Sequence, residues 1–177
     1  DQQVDQKIDQ TIDSTFTKIK DFFGSKALKS VSELPDLIKS EKYYRAIRQS
    51  DSLLNDSKDV YVLFYANYYK SIAFRKIAED ITIDTTNWSE EYQTQEKNRR
   101  TKSLKDALDS IELAIQIAKE CNDYEALYMA TCNKGLSLML DNDLSDIEEA
   151  RKLFIYSLQT EDIILRKEIK EYYNIAT

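Results

Sequence analysis

Histidine is absent from all 177 residues, and the chain holds only two glycines, one proline and two cysteines. Without imidazole, zinc and haem lose a principal ligand and acid–base catalysis loses its commonest base. Two isolated glycines cannot form a loop that cradles phosphate. Together with a single proline they supply too little turn chemistry for hairpins, sandwiches or barrels. Cys121 and Cys132 form no CxxC pair; buried free thiols fit them best, with a disulfide between consecutive helices as the alternative. Basic residues are outnumbered, 25 to 32, for a net charge of −7, which argues against nucleic acid or an anionic membrane as the main partner. No run of about 18 apolar residues occurs, so no membrane-spanning segment is expected.

What is present points to an all-α fold. Residues 1–23 place Val4, Ile8, Ile12, Phe16 and Ile19 in a narrow stripe, which fits a helix at the edge of the domain or a seam with a second copy. Ser32-Glu33-Leu34-Pro35 marks a helix start, since proline is tolerated in a first turn. Residues 60–79, VYVLFYANYYKSIAFRKIAE, are apolar or aromatic around most of the circumference and predict the central helix. Residues 80–102 interrupt the pattern. A helix restarts near Trp88, with Glu90 and Glu91 in its first turn, and either runs on through 103–121 or breaks before it. Asn122-Asp123 reads as a tight turn into a helix over 124–140. Ser145 and Glu148 have capping-box spacing ahead of a helix over 146–159, and residues 161–177 read as a last helix. Asp141-x-Asp143-x-Ser145 imitates the opening of a calcium loop. Asp146 stands where that loop needs glycine and Lys152 where the bidentate glutamate belongs, so a polar turn is the better reading.

One spacing recurs three times: Ala46, Ser50, Leu53, Leu54; then Ala107, Ile111, Ala114, Ile115; then Ala150, Phe154, Ser157, Leu158. Ahead of the third set lies Gly135, inside a predicted helix. Glycine there costs about 1 kcal/mol against alanine, so a close approach by a neighbouring helix is expected. A small residue in one helix, a turn, then alanine, a large residue and a small one in the next resembles the tetratricopeptide repeat (TPR). The resemblance covers residues 36–177 and is strongest over 103–158, with alternating helices at about 36–55, 60–79, 103–121, 124–140 and 146–159 before the last. The stripes are more widely spaced than the family's unit of about 34 residues, the excess falling in 80–102 and after Leu140. The family's first-helix aromatic has no counterpart near Thr131, and its closing proline is missing. The resemblance implies antiparallel helix pairs stacked as a right-handed superhelix of about seven helices. Residues 1–25 form a helix beside the array in this reading, and 26–177 form the repeat domain with an insertion at 80–102.

The same resemblance implies a non-enzymatic scaffold that takes a partner's peptide or helix on its concave face, without metal or cofactor. Matching Ser71 with Gly135 sets Lys70 beside Lys134, and Tyr69 beside Asn133, in equivalent inner-wall positions. Tyr65 joins them from the central helix. Arg99 and Arg100 belong to a local basic cluster suited to an acidic peptide. Two other readings stay open: a structural protein that dimerises through residues 1–23, and a helical sensory or regulatory domain of a larger exported or surface protein. Asp1 is not an initiator residue, and the expectation is that something preceded it. Cytoplasmic and exported or lipid-anchored placements are both compatible with that.

Overall fold

The computed structural model describes residues 26–140, 147–159 and 161, and every regular element among them is a helix. These are α1 (Lys26–Ser32), α2 (Leu34–Lys39), α3 (Tyr43–Asp56), α4 (Val60–Asp80), α5 (Glu90–Glu120) and α6 (Tyr124–Leu138). Residues 147–159 are helical as well and are called α7. The expected helix and dimer seam over 1–25, the polar turn over 141–146 and the last helix over 162–177 lie outside the described residues. None of the described helices is long and apolar enough to cross a membrane.

Three helices, α4, α5 and α6, start where a side chain takes up orphan N–H groups. Asp59 accepts from the amides of Tyr61 and Val62 at the head of α4, Ser89 from Tyr92 at α5, and Asp123 from Ala126 at α6. Two helices end in left-handed turns without glycine. After α2, Glu41 has φ 59°, the Lys42 amide donates to the Leu37 carbonyl and the Glu41 amide to Ile38. After α5, Asn122 has φ 52°, with the Asp123 and Asn122 amides donating to Ala118 and Lys119. Both are Schellman closures, which satisfy carbonyls that a helix end would otherwise leave open. The first corrects the sequence reading of one helix over 36–55. The Ser40 hydroxyl and amide both turn back onto the Asp36 carbonyl, so α2 closes there and α3 begins afresh at Tyr43.

α4 is the centre of the fold. It packs chiefly on α3 and α5, and α5 packs in turn on α6. Phe64, Tyr65, Tyr68 and Tyr69 are all buried; Phe64 stacks on Tyr68 at 5.9 Å between ring centres and Tyr65 on Tyr69 at 6.2 Å. The repeated stripes face this core. Ala46, Ser50, Ala107, Ile111 and Ala114 are wholly buried, and Ala150 and Ser157 nearly so. Leu158, expected on the buried face, is instead 63 % exposed. It sits one residue past Ser157, about 100° further round the helix and away from α6. With Met139, Ile147 and Ile155 it edges an apolar groove of ≈ 300 Å³ along α7.

Gly135 meets the neighbour that its presence required. A Cβ there would lie 2.8 Å from two carbons of the Phe154 ring, so α7 rests a ring directly on the α6 backbone. Beside it, Thr131 and Ser157 share a hydrogen bond of 2.7 Å. Cys132 is buried under the same helix: burial raises its thiol pKa, while hydrogen bonds with Ser157 and Tyr128 pull the other way. Cys121 is exposed, and neither cysteine is in a disulfide.

Candidate interaction cleft

Whether residues 89–121 form one helix or two was open in the sequence, and Glu90–Glu120 answer it. They form one, of 31 residues, and its buried positions begin only at Ser103. The first three and a half turns of α5 therefore run beyond the stripe that packs on the core, by roughly 20 Å at 1.5 Å per residue. The connection over 81–89 is braced by Asp84. Its carboxylate accepts from the amide and hydroxyl of Thr86 (2.9 and 2.6 Å) and from the amide and side chain of Asn87 (3.1 and 2.7 Å). Those hydrogen bonds hold the Asp84 carboxyl well below the usual carboxylate range. Trp88 then packs edge-on against Tyr92 at 4.8 Å, and the Gln93 side chain donates to the Trp88 carbonyl.

Between this projecting arm, the end of α4 and the start of α3 lies a cleft of ≈ 230 Å³. Tyr43, Tyr44 and Trp88 give it aromatic walls; Ile77 and Ile81 line it from α4 and its exit; Asp80, Glu96 and Arg99 supply charge. Arg99 lies along one side, donating to the Tyr44 hydroxyl at 3.1 Å and pairing with Glu96 at 3.2 Å. That pairing raises the Arg99 pKa, the Tyr44 hydrogen bond being the largest cause. Tyr43 is also raised, first by burial and then by the charges of Asp80, Glu41 and Glu79.

The residues expected to meet a partner do not come together as one surface. Tyr65 and Tyr69 are buried in the aromatic core of α4, and Asn133 is buried as well. A helix apolar all round gives no sequence sign of which tyrosines escape the core. Asn133 instead serves the α4–α6 seam, donating to the Ser71 hydroxyl at 3.0 Å and accepting from Arg75 at 3.2 Å. Arg75 and Lys76 both pair with Glu79. Burial alone would raise the Glu79 carboxyl; its hydrogen bonds and the two cations outweigh that and lower it. Arg100 leaves the basic cluster and donates to the Leu140 carbonyl, beyond the end of α6. Only Arg99 of the expected residues lines the cleft. Tyr44, Trp88 and Asp80 were missed, since nothing local in sequence sets α3 beside α5.

Lys70 and Lys134 pair with carboxylates of their own chain. Lys70 meets Asp51 on α3 at 2.7 Å; Lys134 meets Glu112 on α5 at 2.5 Å and Glu149 on α7 at 2.8 Å. Burial works against the Lys134 ammonium, and the hydrogen bonds to Glu112 and Glu149 more than offset it, raising its pKa. The pairs Lys70–Asp51 and Lys134–Glu112 are equivalent. Each lysine precedes Ser71 or Gly135, and each acid follows Ser50 or Ile111, the second member of its stripe. Two further features repeat in that register. Asp59 and Asp123 cap the two helices, and Asn67 and Thr131 donate to the carbonyls of Leu63 and Leu127 one turn back. The pair α3–α4 thus shares a register of caps, bonds and ion pairs with α5–α6. Comparison with family models, curated proteins and solved structures gives no match to this chain.

Proposed function

We propose that the protein is a TPR-like helical repeat module that binds a segment of another protein, without catalysis of its own. The observation that carries this reading is the repeated register just described: cap, back-bond and ion pair recur at matching positions in successive helix pairs. Arrays built from such pairs bury a continuous core and leave long faces free for partners. Within the array, the cleft beside Trp88 is the place for recognition. Tyrosine, tryptophan and arginine are the residues that interfaces favour and that carry most of their binding energy.

The test uses affinity capture from the source cells with the wild-type chain and a Tyr44→Ala, Trp88→Ala double variant. Tyr44 is 55 % exposed, so the fold should tolerate the change. The reading expects specific partners on the wild type that fall at least about tenfold on the variant, as loss of a two-residue hot spot would give. Equal recovery on both chains, with matching melting temperatures, removes the cleft from the interaction.

A further inference from the structure

We infer that the cleft between α3, the end of α4 and the projecting arm of α5 recognises a cationic side chain, lysine or arginine, presented by the partner. This rests on the interaction reading above and names the chemistry that would fill the site.

Charge decides the sign. Of the three ionised groups that the described residues place in the lining, Glu96 and Arg99 neutralise one another at 3.2 Å, and Arg99 also donates to the Tyr44 hydroxyl. Asp80 remains, an exposed carboxylate with no ion-pair partner among the described residues. It is the last residue of α4, whose final turn holds no basic residue. A helix end carries partial negative charge on its open carbonyls and favours a cation. The nearest cations on α4, Arg75 and Lys76, are both held by Glu79. Arg99 is the one cation among the described residues of the lining, and it is the one already paired. An incoming carboxylate would therefore meet Asp80 and a negative helix end, with Arg99 already paired to Glu96. An incoming ammonium or guanidinium would meet a free carboxylate.

The walls suit the same ligand. Tyr43, Tyr44 and Trp88 line the cleft with aromatic rings, which suit an aliphatic stem and attract a cationic head. At ≈ 230 Å³ the cleft falls below the size of sites for drug-like molecules, about 300–1,000 Å³, and matches a single side chain. The raised Tyr43 phenol reports the negative field from Asp80, Glu41 and Glu79, after the effect of burial. This reverses the sign expected from the basic cluster in the sequence. The structure divides that cluster, sending Arg99 to Glu96 and Arg100 to the Leu140 carbonyl.

Trp88 is the sole tryptophan, so its indole N–H resonance and its fluorescence report on the cleft alone. The full chain is titrated with four blocked alanine pentapeptides bearing a central lysine, arginine, norleucine or glutamate. Saturable shifts of the Trp88 indole are expected with lysine and arginine, in the millimolar range, and about tenfold tighter than with norleucine. Asp80→Asn should weaken the lysine peptide by about fivefold while the norleucine peptide and the melting temperature stay unchanged. Preference for the glutamate peptide overturns the inference. So does lysine binding that is indifferent to Asp80→Asn, or the absence of any Trp88 response. In each of those cases, loss of partner capture by the Tyr44→Ala, Trp88→Ala variant would leave the broader interaction reading standing.

Discussion

Gly135 shows how much one residue can fix. Without a side chain, it lets the Phe154 ring lie where a Cβ would sit 2.8 Å away, closer than carbon atoms pack. Gly135→Val should therefore destabilise the fold by about 1–3 kcal/mol, although valine is otherwise the better helix former. In a Phe154→Ala background the same change should cost less, with a coupling of at least about 1 kcal/mol by denaturant unfolding of all four chains. Additive effects would mean that the ring moves aside without strain. This contact was legible in the sequence, because a glycine inside a helical pattern asks for a close neighbour. The burial of Tyr65, Tyr69 and Asn133 was not. On a helix lined by tyrosine and alanine, periodicity alone does not separate the face that α5 covers from the face that water covers. Asn133 also looks like a surface residue until Ser71 and Arg75 are set across from it.

Between elements, α4 and α6 are joined by polar side chains, Ser71, Arg75 and Asn133, and Arg75 is backed by one carboxylate. Arg75 is nearly buried, its side chain 11 % exposed, and Glu79 supplies its counter-charge while Asn133 ties it to α6. Because the folded Glu79 pKa lies below its ordinary value of 4.5, its stabilising effect is complete above that pH. It is lost as the pH falls through the lowered folded value. Thermal melts of wild type and Glu79→Gln should thus differ at pH 7 and converge in acid, below pH 4.5. A gap that stays constant across the titration would remove Glu79 from the acid response. Element boundaries followed sequence chemistry where a cap was present: Asp59, Ser89 and Asp123 each begin the helix that their side chains favour. The break at Ser40–Lys42 was hidden because its left-handed residue is glutamate, where glycine or asparagine would have signalled a stop. The projecting arm of α5 was hidden for a different reason: Glu90–Lys102 has no apolar stripe, so nothing in the pattern showed that the helix continues through it.

At the scale of the whole molecule, the fold class was legible and the cleft was not. An all-helical chain follows from composition and period. The cleft depends on Tyr44 and Arg99, 55 positions apart, meeting across the fold. Long-range contacts also hold α7, the last described helix. At the α7 end, the bonds described here all reach α6: Phe154 on Gly135, Ser157 to Thr131, Glu149 to Lys134. Cys132 sits beneath that helix, and Cys121 stands in the open on the α5–α6 turn. The two thiols therefore make an internal clock. A maleimide should consume Cys121 at once, at the rate of an unprotected thiol. Cys132 should wait for α7 to lift, its delay measuring how often the last described helix detaches while the rest stays folded. Phe154→Ala should shorten that delay without changing the Cys121 rate, as followed by fragment-ion mass spectrometry of the tryptic peptide 120–134, which holds both thiols. If both thiols react together in the wild type, α7 is not held at all.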